Sequence, residues 1–249
     1  MTSIPHRLKQ EPLIEAIWEL RFEKPEASDA LPGQLYEALR KRGKSVTMKR
    51  LPTADIPAPV VQMNPAFRYA PRQRITEEPA AALLWQTGDQ IITLNCCKPY
   101  IGWLALKPEI EALIEIVEKC DLNLKFERHS LRYINVLTLD PAPDISALAI
   151  NMKLGGHHIQ NNPLQLRTEI KEGNFGHVIQ IATPAEAHPP EGPITGTIVD
   201  LETHSVEPPK DFDTLRGELD VLHDGLKELF FDHILSPKAL KRLEPEYQK

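Results

Sequence analysis

Alternation of apolar and polar residues marks the first regular element of the chain. Between Leu13 and Phe22, the residues Ile14, Ala16, Trp18, Leu20 and Phe22 share one parity, while Glu15, Glu19 and Arg21 take the other. Period two of this kind predicts a strand with one face in a core. The period then changes. Leu31, Leu35, Ala38 and Leu39 recur at helical spacing, with Ser28 as candidate N-cap and Gly43 suited to a left-handed helix end. Strands are predicted over residues 45–51, 60–69, 81–85 and 90–97, the last two joined by Thr87-Gly88-Asp89 as a hairpin turn. Prolines 52, 57, 59, 65, 71 and 79 belong to connections and edges, because proline cannot donate to a central ladder. A helix opening at Pro108 carries Ile110, Leu113, Ile114 and Val117 on one stripe.

The second half reads in a similar order. Residues 128–139 predict a strand, and residues 144–152 a short helix ended by Gly155-Gly156. Strands over 164–171, 175–183 and 193–203 follow, the first two joined by Lys171-Glu172-Gly173-Asn174. A long helix over 211–233 closes the pattern, with Leu215, Leu219, Leu222, Leu226 and Phe230 in its apolar stripe. Residues 1–124 and 125–249 therefore each read as strand, helix, several antiparallel strands, helix, within one compact unit. The symmetry lies in element order, not in a residue-by-residue repeat. The expected class is α+β, one extended antiparallel sheet with helices on one face. The duplicated order resembles the TATA-binding-protein-like fold, with helix-grip folds as the near alternative. Neither resemblance carries a function.

Three segments also resemble a sporadically distributed family of uncharacterised bacterial proteins of similar length. They are the Pro12-Leu13-Ile14-Glu15 strand opening, Leu131-Arg132-Tyr133-Ile134-Asn135 in mid-chain, and Leu222-His223 followed by Phe230 and Ile234. The resemblance spans the chain in order and implies a single functional unit. It implies no activity. A sporadic distribution is typical of accessory genes such as defence components.

Composition changes this picture in three places. No apolar run approaches the roughly 20 residues that span a bilayer, and the polar start of the chain lacks a secretion signal, so a cytoplasmic location without membrane contact is expected. Three cysteines, two of them adjacent, form neither a disulfide framework nor a zinc site. The formal net charge is −6, yet residues 40–74 hold nine basic residues against Asp55 alone, whereas acids predominate over residues 186–232. Such asymmetry marks two solvated faces, an anionic or protein partner at the basic stretch, or a homo-oligomer contact between unlike faces.

Candidate chemistry is sparse. Asp200, Glu202 and His204 alternate along one strand and so face one side, a way of presenting carboxylates to a hard cation. A phosphotransfer or nuclease-type enzyme built on Asp200 and Glu202 is the alternative reading, but no glycine-rich phosphate cradle accompanies the pair. His157 and His158 diverge on an extended chain, which leaves His177 without an evident metal partner. His223 borders the apolar stripe of the last helix and reads as a packing histidine. Arg132 on its strand is a candidate for register or ligand binding. The basic stretch, represented by Arg40, Arg42, Lys44, Arg68, Arg72 and Arg74, includes Phe67 and Tyr69, the pairing that phosphate contacts and base stacking require. The leading expectation is a binding or interaction protein that needs no cofactor.

Overall fold

The computed structural model describes residues 4–78, 82–189 and 192–247. It is α+β, with a nine-stranded antiparallel sheet. In chain order the strands are β1 (Leu13–Phe22), β2 (Val46–Arg50), β3 (Gln73–Glu77), β4 (Leu83–Thr87), β5 (Ile91–Cys97), β6 (Phe126–Leu137), β7 (Leu164–Glu172), β8 (Phe175–Ala187) and β9 (Ile194–Ser205). Their order across the sheet is β7-β8-β9-β6-β1-β5-β4-β3-β2. The helices are α1 (Leu31–Lys41), α2 (Ala58–Met63), α3 (Trp103–Lys119), α4 (Phe212–Glu228) and α5 (Pro237–Arg242). Among the described residues no helix is long and apolar enough to cross a membrane.

The chain divides into two compact units, one of residues 17–131 with 204–219, the other of residues up to 16, 132–203 and 220 onward. In the first, Trp18, Leu20 and Phe22 of β1 are fully buried, as the alternation requires. Leu31, Leu35 and Leu39 of α1 and Leu106, Ile110 and Leu113 of α3 are buried as well. The helix α1 packs against α3 and β2, and α3 against β5. The Trp18 indole N–H donates to His129 Nε2 at 2.7 Å. That bond leaves the imidazole proton on Nδ1, which lies 3.4 Å from Glu218 Oε2. Burial holds His129 below the usual histidine range, against the opposing pull of Glu218.

Three expectations in this unit change. Residues 60–69 are not a strand: α2 and a 3-10 turn over Pro65–Tyr69 occupy them. Proline stands in the first turn of each, where a missing N–H costs nothing, and the Asn64 side chain accepts from Ala66 N–H. The sheet position goes instead to Gln73–Glu77, whose single buried residue is Ile75. The helix α3 begins at Trp103, so Pro108 lies inside it. Ser28 is the first residue of a 3-10 turn and Ala30 stands at the N-cap of α1, whereas Gly43 ends α1 at φ +82° as expected. Ala81, placed in a strand by the sequence pattern, lies outside the described residues.

In the second unit, residues 144–152 form turns rather than a helix. Pro141 and Pro143 precede them, and the backbone bonds elsewhere: Ala149 N–H donates to Ile234 O, Ser236 N–H to Ala147 O, and Leu148 bridges Leu235. Burial of Ile145, Ala147 and Leu148 accompanies this pairing, so tertiary contact overrides helix propensity. Gly155, at φ +58°, turns a two-residue hairpin between Lys153–Leu154 and His157–His158, and both histidines are exposed. The last helix continues from α4 into a π turn over Leu229–Ile234.

His223 on α4 has its Nδ1 2.7 Å from the Tyr133 hydroxyl. Burial first, then the nearby Lys227 ammonium, lowers its pKa to about 3, with Asp220 opposing. An unfolded histidine titrates near 6.5, so as pH falls the unfolded chain takes up the proton first. Stability from His223 is therefore complete above about pH 6.5 and declines by about 1.4 kcal/mol per pH unit as pH falls towards 3. Between pH 7 and 4, stability measured by urea unfolding should fall less steeply with pH in His223→Gln than in the unaltered protein. Equal slopes for the two proteins would exclude a neutral, buried His223.

Candidate ligand-binding face

The register of β2 to β5 sorts their side chains into two sets. Met48, Ile75, Trp85 and Leu94 stand opposite one another in one row. Ile75, Trp85 and Leu94 are buried in the core. The neighbouring row, of opposite parity and so turned away from the core, reads Lys49, Arg74, Gln86 and Thr93. Next to it runs Thr47, Thr76, Leu84 and Asn95. Apart from Leu84, one side of this four-stranded region is therefore a ladder of hydrogen-bonding groups.

Its electrostatics are lopsided. Lys49 and Arg74 are exposed and directly opposite each other across β2 and β3, an arrangement of like charges that destabilises a sheet. With the Gln86 amide oriented oxygen towards the guanidinium, that oxygen accepts from Nε and Nη2 of Arg74 at 3.0 Å each. Deeper in, the Thr93 hydroxyl donates to Asn95 Oδ1 at 2.7 Å, and both residues are buried.

Arg21 projects from β1 on the side opposite Trp18, Leu20 and Phe22, also away from the core. Its guanidinium lies 4.6 Å from the centre of the Tyr69 ring, and that of Arg68 lies 5.0 Å away. The Tyr69 hydroxyl donates to Glu127 at 2.7 Å, and burial together with that carboxylate raises the phenol pKa. Glu19 holds Arg21 at 2.6 Å. The segment bearing Arg68 and Tyr69 is fixed to the sheet by its backbone: Leu51 N–H donates to Arg72 O, and Arg72 N–H to Thr87 O at 2.7 Å. Gly88 permits a close approach, because a Cβ there would lie 2.6 Å from the Ala70 carbonyl oxygen.

The basic residues singled out by sequence do not act as one group. Lys44 is consumed by Glu77 and Glu109, 3.2 Å from each, and lies 5.3 Å from the Trp85 ring centre. Arg72 pairs with Asp89 at 2.9 Å. Arg40 sits 3.6 Å from Glu37 on the surface of α1, and Arg42 is the exposed residue at its end. Only Arg68 and Arg74 of the set belong to the polar side of the sheet. Lys49, Gln86, Thr93 and Arg21 join them there. The strand that carries Arg74, Gln73–Glu77, alternates in the sequence, but the surrounding prolines concealed it.

Of the remaining candidates, Arg132, His177, Asp200 and Glu202 lie in the second unit and His204 in the first. Arg132 binds Asp200 through both nitrogens, Nε to Oδ1 at 2.7 Å and Nη2 to Oδ2 at 2.5 Å, and Gln180 Nε2 adds a contact at 3.3 Å. Asp200 and His204 are buried and Glu202 is half-buried, on a strand whose other parity, Val199, Leu201 and Thr203, is buried as well. A cation at Asp200 would have to displace the guanidinium. Among the described residues no group of three or more His, Cys, Asp or Glu side chains is placed to hold a metal ion. His177 contacts the Thr203 hydroxyl at 2.9 Å beside a cleft of about 320 Å³ rimmed by Glu172, Asp224 and Glu228. Burial lowers its pKa. No protein-family model and no curated protein matches the chain.

Removing the Arg132 side chain leaves Asp200 without its bidentate partner. Arg132→Met should cost on the order of 2 kcal/mol in urea unfolding. A double-mutant cycle with Asp200→Asn should return a favourable coupling. Zero coupling, together with a magnesium-induced rise in melting temperature that Asp200→Asn abolishes, would favour the metal alternative.

Proposed function

We propose that this is a non-catalytic binding protein whose polar sheet side takes an anionic, phosphate-bearing ligand. The observation that carries this reading is the cross-strand Lys49–Arg74 pair. Two cations held side by side weaken the free sheet, and a bound anion turns that cost into attraction. Gln86, half-buried, continues the same row and supplies a neutral hydrogen-bonding group. Tyr69, bonded to Glu127, holds the Arg21 and Arg68 guanidinium groups over its ring, which adds cationic groups to the same side. The accessory role implied by the family resemblance is compatible with a ligand sensor of this kind.

This reading gives Lys49 opposite effects on stability and on binding. Lys49→Glu should stabilise the free protein by about 0.2–1 kcal/mol, since it places unlike charges opposite each other. The same change should weaken binding of a short fluorescent oligothymidylate, or of inorganic polyphosphate, by at least about tenfold, roughly 1.4 kcal/mol. Binding by the unaltered protein should fall as salt is added. Fluorescence anisotropy and urea unfolding measure the two effects separately. The reading fails if neither probe binds saturably, or if Lys49→Glu and Arg74→Glu bind as the unaltered protein does.

A further inference from the structure

The strand β7 ends the sheet, and β8 is its single neighbour there. It runs nine residues, Leu164–Glu172, paired along its whole length. One backbone edge therefore faces away from β8, a template for a further strand. From Arg167 to Glu172 every side chain is exposed, and Ile170 retains 48% of its accessible surface. Natural sheets guard such an edge with charged side chains, with proline, or by keeping it short; the charges of β7 are of both signs, so a second copy can pair them. The opposite edge, β2, is short and carries charge of one sign: it has five residues and ends in Lys49-Arg50.

The sequence of β7 is Leu-Gln-Leu-Arg-Thr-Glu-Ile-Lys-Glu. Two copies related by a two-fold axis perpendicular to the sheet must pair residues of the same parity, since directly opposed side chains share a face. An axis through Thr168 sets Arg167 opposite Glu169, Leu166 opposite Ile170, and Gln165 opposite Lys171. Each unlike-charge and apolar pair occurs twice by symmetry. A slip of the axis to Arg167 opposes arginine to arginine. A slip to Glu169 opposes glutamate to glutamate and Arg167 to Lys171. The Thr168 register alone pairs all nine residues of the strand with unlike charges opposed; a register centred on Ile170 also opposes Glu169 to Lys171 but pairs five residues, and those centred on Arg167 and Glu169 are disfavoured by repulsion.

We infer that β7 is the interface of a homodimer in which two copies of this chain join antiparallel through their β7 edges, centred on Thr168. Main-chain hydrogen bonds supply the attraction, and the Arg167–Glu169 pairs select the register. The surface is separate from the Lys49–Arg74 ladder, so neither proposal depends on the other.

Size-exclusion chromatography with light scattering on the full chain tests the inference. The unaltered protein should elute at twice the 28.2 kDa chain mass. Arg167→Glu and Glu169→Arg should each raise the dimer dissociation constant at least tenfold by opposing like charges, and the double variant R167E/E169R should restore the dimer. Because both side chains are exposed, far-ultraviolet circular dichroism should be unchanged in all three. A wild-type monomer, a species larger than a dimer, a dimer indifferent to the single changes, or a double variant that stays monomeric would each overturn it.

Discussion

The hydrogen bond from the Trp18 indole to His129 Nε2 sets the terms for the unit around it. Trp18 is fully buried, and so is His129. An indole N–H shut away from water needs an acceptor, and leaving it without one costs on the order of 1–3 kcal/mol. The imidazole can accept at Nε2 only while neutral, with its proton on Nδ1 facing Glu218. The His129 main chain is engaged too, with Ser205 Oγ positioned to accept from its N–H and donate to its C=O at 3.4 Å. One neutral ring thus ties β1, β6, the end of β9 and the start of α4 together. Its neutrality follows from the same burial that makes the bond necessary.

A core on one side of a sheet dictates what the other side can be. Because Ile75, Trp85 and Leu94 occupy the buried parity, Lys49, Arg74, Gln86 and Thr93 are held in register on the opposite side without needing to contact one another. The fold thereby displays two cations at a spacing that loops would not maintain. In the second unit an arginine has another part: Arg132 closes on Asp200, so a carboxylate that looked like a cation ligand neutralises a guanidinium instead.

Strong periodicity was legible in the sequence, and weak periodicity was not. The strand β1, the helix α1 with its glycine end, the β4–β5 and β7–β8 hairpins and the long final helix all announce themselves through spacing and turn residues. The region from Val60 to Tyr69 misled because valines suggest a strand, while the prolines beside them favour helical turns. Residues 144–152 misled for another reason: their backbone partners lie some 90 positions further along the chain at Ile234 and Ser236, beyond the reach of any local pattern. The candidate face was half visible. Its charges stood out as a basic stretch, but which of them are used up, as Lys44 is by Glu77 and Glu109, depends on acids distant in sequence.

The close approach at Gly88 has a consequence for how this protein can vary. With the Ala70 carbonyl occupying the space a Cβ would need, the turn between β4 and β5 cannot accept a side chain while residues 65–72 keep their path. A substitution at position 88 is therefore also a displacement of Tyr69 and Arg68. In an alignment of descendants, drift at the turn and drift in that segment should be inherited together, so that a neutral-looking glycine records the history of the surface beside it.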